Sequence, residues 1–148
     1  MIASVLAREP QLLADIPLTI DRDEVLRFQG YKPGLDLPSD DVLALYEAAL
    51  ADGESLMRPR LVYGAVPVAE QESDRIRLAG GVELHIPEIH RFWGRLEAVG
   101  IGICTIGDAL EWRSRQLFEA REFPLAVMLD TVGSAAVECL AEWANDSL

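Results

Sequence analysis

Apolar side chains recur along this chain with two periods, and the switches between them mark out its elements. Asp21 opens a short helix, with Glu24 three residues on in the D-x-x-E form of a capping pattern. Gly30 ends it, and residues 31–38, with two prolines and a glycine, read as a turn-rich loop. Ser39 caps a second helix whose Asp40 and Asp41 suit the positive end of the helix dipole. Val42, Leu45, Tyr46, Ala49 and Leu56 then recur at helical spacing, which predicts one buried face. From Arg60 to Val68 the pattern turns β-rich, in the run LVYGAVPV. Arg75–Leu78 and Val82–Ile86 alternate polar with apolar around Gly80-Gly81, which predicts a two-strand hairpin.

Pro87 opens a helix carrying Ile89, Phe92, Trp93 and Leu96 on its apolar side. Ile101–Ile106 reads as a strand bracketed by Gly100 and Gly107. Asp108, with Glu111 three residues later, repeats the helix-start signal, and that helix is expected to run to about Arg121. Pro124 begins a long last helix with the stripe Leu125, Leu129, Val132, Ala136, Leu140 and Trp143. Residues 1–17 read as an N-terminal arm or short helix ahead of Pro17. The expectation is one α+β domain over residues 18–148: an antiparallel sheet with a hairpin, packed by several helices that include the long C-terminal one.

Composition narrows the function classes. The 148 residues are 50% apolar, an ordinary globular balance. A formal net charge of −12, with Lys32 the only lysine, predicts repulsion from nucleic acid and from anionic membranes. Cys104 and Cys139 stand far apart in apolar stretches and read as buried, reduced thiols. The opening residues lack the basic leader of a secretion signal, and no apolar run reads as long enough to span a bilayer, so a cytoplasmic location is expected.

Several motifs fall away on spacing. GIGICTIG, residues 100–107, has the wrong spacing for a nucleotide-binding glycine loop and brackets a strand rather than following one. Lys32 has no phosphate-loop context, and no HExxH or clustered Cys/His set offers a metal site. His85 and His90 are expected on different elements. Ser134, in GSAAVE, lies within a helix pattern rather than on a nucleophile elbow, and a glycine-serine pair there usually permits close packing. No D-x-H-x-x-G sequence is present, so the chain is not expected to carry a corrinoid itself. No catalytic set emerges.

Asp130, Ser134, Glu138 and Glu142 are spaced by four on the last helix and so share one face. Gly133, Ala135 and Ala136 keep that region small, which leaves room for a ligand beside the backbone. The bland alternative is a solvent-facing stripe beside a packed one. An ionised carboxylate there suits an amine, a ribose hydroxyl or a sulfonium group, because it only accepts hydrogen bonds and attracts positive charge.

Four segments, in order, resemble one family. RFQGYKPG (27–34) resembles its early loop after a short helix, and MRPRLVYGAVPV (57–68) its arginine-proline-arginine segment with a strand. AGGVELHIPEIHRFWGRLEAVGIGICTIG resembles its hairpin, helix and strand ending in a threonine-isoleucine-glycine turn. LFEAREFPLAVMLDTVGSAAVECLAEWAND resembles its long helix with an LD-x-x-GS-x-A-x-E core. The family is the activation domain of cobalamin-dependent methionine synthase, including small stand-alone relatives. The resemblance implies a twisted antiparallel sheet with long helices, binding of S-adenosylmethionine, and support of reductive methylation of cob(II)alamin held by a partner. It matches Glu138 to a ligand-binding glutamate, with Ser134 and Asp130 added from the shared face. The family's Pro-Gly-Tyr ligand loop has no counterpart before Leu148. The expectation is therefore an accessory role beside a corrinoid protein or methyltransferase rather than independent catalysis. The alternative is a non-enzymatic docking or assembly module. Homo-oligomerisation through an uncovered sheet edge is a further expectation.

Overall fold

Two of the three expected N-cap residues, Asp21 and Ser39, cap their helices. The computed structural model describes residues 9–32 and 34–147, so residues 1–8 of the predicted N-terminal arm lie outside them. Helix α1 spans Arg22–Phe28, and the Asp21 carboxylate accepts from the Asp23 N–H at 2.8 Å. Glu24 does not complete the capping box; it binds the guanidinium of Arg27, at 3.0 Å from Nε. Helix α2 spans Asp40–Leu56, with the Val42 N–H donating to Ser39 Oγ at 3.4 Å. Tyr46, Ala49 and Gly53 are its buried residues, while Val42, Leu45 and Leu56 are half-buried. The last turn of α2 holds no basic residue, and Arg58 just beyond it donates to the Ser55 and Met57 carbonyls at 2.9 and 2.6 Å.

Asp108 corrects the third signal. Helix α4, Ala109–Glu119, begins after it, but Asp108 has near-helical φ/ψ of −100° and −12° and makes no side-chain cap bond. Capping geometry needs an extended N-cap backbone to swing the side chain over the free N–H groups. Helix α5, Phe123–Ser147, is the longest element at 25 residues. Leu129, Val132, Ala136 and Leu140 are fully buried as the stripe predicts, while Leu125 and Trp143 are half-buried. Helices α1, α2 and α4 all pack on α5. By length and composition α5 is also apolar enough to cross a bilayer, which the sequence reading missed; half of its most apolar window is buried inside the protein.

The strands are β1 (Gln11–Ala14), β2 (Arg60–Gln71), β3 (Arg75–Leu78), β4 (Glu83–His85) and β5 (Ala98–Thr105). They form one five-stranded sheet in the order β1-β2-β3-β4, with β5 also pairing with β2. β1 replaces the expected arm or short helix over residues 11–14, and Tyr63 Oη donates to Gln11 Oε1 at 2.8 Å beside it. The β2–β3 pair is antiparallel with a bulge between Val68 and Glu70. The predicted hairpin forms between β3 and β4, aligning Ile76 with Leu84. Gly80 and Gly81 have φ of 95° and 87° there, a region that L side chains rarely adopt.

Ile76, Leu78 and Ile89 form a core cluster on one face of this sheet, joined by Val66, Val68, Leu84, Ile86, Leu96 and Val99. Helix α3 is only Ile89–Trp93, and of its expected apolar side just Ile89 is buried. Phe92 and Trp93 are exposed, at 72% and 63%. Gly94, at φ 61° and ψ −142°, ends the helix after five residues, so Leu96 lies beyond it. The Gln71 side chain then holds the following loop, donating to the Gly94 carbonyl at 2.6 Å and accepting from the Leu96 N–H at 2.8 Å.

The fold is α+β, with an antiparallel curled sheet and a long C-terminal helix. It gathers into two compact units. One holds Val62–Ile103 with the described chain before Leu13; the other holds Leu13–Leu61 and the chain from Cys104 onward.

Candidate functional site

Helix α5 sets the candidate site by its period. Asp130, Ser134, Glu138 and Glu142, four apart, are all exposed, as the shared face predicts. The first three line one open groove of about 590 Å³. Its other walls come from the end of β5 and the turn after it (Cys104, Thr105, Ile106 and Gly107), and from Leu110 and Glu111 of α4. Glu142 lies beyond the groove, which Gly133 and Val137 complete.

Local chemistry holds this geometry. Gly107 takes φ 81°, and its N–H donates to Thr105 Oγ1 at 3.1 Å. The Ile106 carbonyl accepts from the Arg58 N–H at 2.7 Å, so the arginine-proline-arginine segment anchors the turn as well as the end of α2. The buried Ser114 hydroxyl of α4 donates to the Ala126 carbonyl of α5 at 3.1 Å. Thr131, on the buried side of α5, donates to Val127 O at 2.8 Å and accepts from the Gln29 amide.

Of the small residues of α5, Gly133 lines the groove and Ala135 and Ala136 do not. All three are buried, and Leu110 and Ile106 lie closest over Gly133. The groove floor is therefore Leu110 and Ile106 beside the α5 backbone at Gly133.

The rim is acidic. Glu111, Asp130 and Glu138 line the groove, and no basic side chain does. Glu111 is paired with Arg115 at 3.1 Å. Among the described residues, Asp130 and Glu138 enter no ion pair. The Ser134 hydroxyl donates to the Asp130 carbonyl at 3.2 Å, which spends its proton and leaves its oxygen as an acceptor. The rim thus offers acceptors and negative charge above an apolar floor, suited to a ligand with amine, hydroxyl or cationic groups and one apolar part.

Cys104, Thr105 and Glu111 belong to the groove but escaped the sequence reading, because helical spacing reports only neighbours on the same helix. Cys104 and Cys139 are free thiols and half-buried, not fully buried as expected, and Cys139 Sγ lies 3.5 Å from the Thr19 carbonyl. His85 and His90 fall on β4 and α3. His85 faces Asp74 at 3.8 Å, and His90 Nδ1 lies 2.8 Å from the Ser73 carbonyl. Tyr31, Lys32 and Gly34, from the early loop segment, line a different recess of about 320 Å³ with Arg22 and Leu37.

No protein-family model matches this chain, and no curated protein does.

Proposed function

We propose that this protein is a cobalamin-linked accessory protein of the methionine synthase activation type, and that its α5 groove binds S-adenosylmethionine. One observation carries the reading. Asp130, Ser134 and Glu138 line a single groove together with Thr105–Gly107, the threonine-isoleucine-glycine turn on which the family resemblance also rests. Glu138 and Asp130 would accept from ribose hydroxyls or attract the sulfonium and amine charge. Ser134 would accept from the ligand's amine, while Ile106, Leu110 and Val137 would take the adenine face.

When bound, S-adenosylmethionine supplies a methyl group to a corrinoid carried by a partner protein. The chain's own part is orientation, holding the ligand for an acceptor that arrives from outside. This reading also supposes a cytoplasmic setting. Isothermal calorimetry tests it: heat of binding is expected on titration with S-adenosylmethionine, alone or with a corrinoid protein present. Absence of heat at millimolar ligand in both arms overturns it.

A second reading is a non-enzymatic docking or assembly module for a corrinoid protein or methyltransferase. The exposed Phe92 and Trp93 on α3 favour it, since exposed aromatics anchor protein interfaces. Recovery of a corrinoid protein or methyltransferase by immobilised wild-type chain, lost with F92A/W93A, is the expected result.

A further inference from the structure

Strand β5 is the least protected edge of the sheet. Among the described residues it pairs only with β2, which leaves its other side open. The path's two end strands are blunted: β1 is four residues long, and β4 is three residues long with Glu83 and His85 in it. β5 runs for eight residues, Ala98–Thr105, with no charge and no proline. Edge strands of that kind are templates for pairing with another chain.

The register fixes which groups are free. The Val68 N–H donates to the Glu97 carbonyl at 2.9 Å, so the Glu97 peptide groups face β2. Antiparallel alternation then turns Val99, Ile101 and Ile103 toward β2, and Ala98, Gly100, Gly102 and Cys104 outward. Side chains agree, since Val66 and Val99 pack against the same core cluster, as directly paired residues should. Residues 100–103 are all exposed, with Ile101 at 45% and Ile103 at 68%.

We propose that the outer edge of β5 pairs antiparallel with β5 of a second copy, about a two-fold axis through Ile101. In that register Gly100 exchanges both backbone hydrogen bonds with Gly102 of the second copy, and Ala98 does the same with Cys104. Ile101 meets its own counterpart and Val99 meets Ile103, as non-hydrogen-bonded pairs whose side chains approach most closely. The apolar row Val99-Ile101-Ile103 becomes one stripe across both sheets, and the contact is isologous and closed.

The strand's own sequence selects the occupant. About Ile101 it matches itself, Gly100 with Gly102, Val99 with Ile103 and Ala98 with Cys104, and it carries no charge to add to the repulsion between two copies of net charge −12. Along the chain the next residue before the strand, Glu97, falls opposite Thr105 of the second copy, not opposite another acid. β-Augmentation of this kind takes affinity from the main chain and specificity from the alternate side chains.

Sedimentation velocity of the full chain, from about 1 to about 100 µM, tests the pairing, because mass action favours a dimer as concentration rises. The wild type is expected to pass from monomer to dimer. I101K and I101E each set two like charges across the axis and are expected to weaken the dimer at least about tenfold. An equal mixture of I101K and I101E sets opposite charges there and is expected to restore the dimer, which a non-specific effect of either substitution would not do. Far-UV circular dichroism checks that both variants are folded. Concentration-dependent protection of the Gly100 and Gly102 amides from hydrogen exchange gives a readout on the wild type alone. A wild type monomeric throughout that range overturns the proposal. So do variants that dimerise like the wild type, a mixture that stays monomeric, or Gly100 and Gly102 amides that exchange equally fast at all concentrations.

Discussion

A β-carbon placed on Gly133 of α5 would lie 2.8 Å from Leu110 Cδ2 of α4. The same leucine would meet a β-carbon on Gly53 of α2 at 3.5 Å. Leu110 therefore sits between two helices at positions where each lacks a side chain, and that absence sets how closely three helices approach. Gly133→Ala gains about 1 kcal/mol of helix propensity but overpacks a buried contact at a cost of about 1–3 kcal/mol. Net destabilisation is expected in urea unfolding. L110A alone should cost about 2–5 kcal/mol, and G133A/L110A less than the sum of the singles, because the clash partner has gone. Additive losses would show that Leu110 does not confine Gly133.

The hairpin glycines act by a different mechanism. A β-carbon at Gly80 or Gly81 would meet nothing within 4 Å, yet both have positive φ. Gly80→Ala and Gly81→Ala are each expected to lose about 1–2 kcal/mol through backbone conformation alone. Asparagine, which tolerates the left-handed region, should recover part of that loss. The check is the urea midpoint of the glycine, alanine and asparagine forms.

Acid sensitivity should carry a contribution from α1. A hydrogen bond from Arg27 holds the Glu24 carboxyl below its ordinary 4.5, outweighing the opposing effect of desolvation, and the charge attraction of Arg27 adds to it. A carboxyl depressed in the folded state contributes stability above its unfolded value, and that contribution disappears as pH falls through the folded value. R27A is therefore expected to lie below the wild type in stability near neutral pH and to converge on it as pH drops below 4.5. Urea midpoints measured from pH 6 down to about 3 would show this; parallel curves for the two proteins would count against it.

Within the groove, Glu138→Gln keeps the shape and removes the charge. If the groove takes S-adenosylmethionine, affinity should fall about tenfold, or about 1.4 kcal/mol. S134A should change it less, because that hydroxyl already donates to Asp130 O. Titration calorimetry separates the two, and an E138Q variant that binds like the wild type would remove Glu138 from the site.

Local signals proved readable where the physics is local. Asp21 and Ser39 cap their helices because each needs only an N–H two or three residues away. Gly80-Gly81 makes its turn for the same reason. Asp108 carries an identical D-x-x-E pattern and fails, since the preceding Gly107 and the anchored Ile106 carbonyl set its backbone first. Phe92 and Trp93 fit an apolar helical side, yet both are exposed, and Gly94 ends the helix before Leu96 can join it. The face of Asp130, Ser134 and Glu138 was legible from spacing by four. Its opposite wall was not, because the encounter of Glu111 and Thr105 with α5 depends on Leu110 settling over Gly133.

The hydrogen bond from Arg58 N to Ile106 O has a kinetic meaning. It joins the chain just before it leaves the helical unit, at Leu61, to the point just after it returns, at Cys104. Closing a disordered stretch of that length costs on the order of 3 kcal/mol of chain entropy. Pairing of β2 with β5 pays that cost in advance, because it sets the outgoing and incoming strands side by side. Formation of the sheet should then precede docking of α4 and α5 against α2, so substitutions in the β2–β5 ladder should slow folding while those under Leu110 chiefly hasten unfolding.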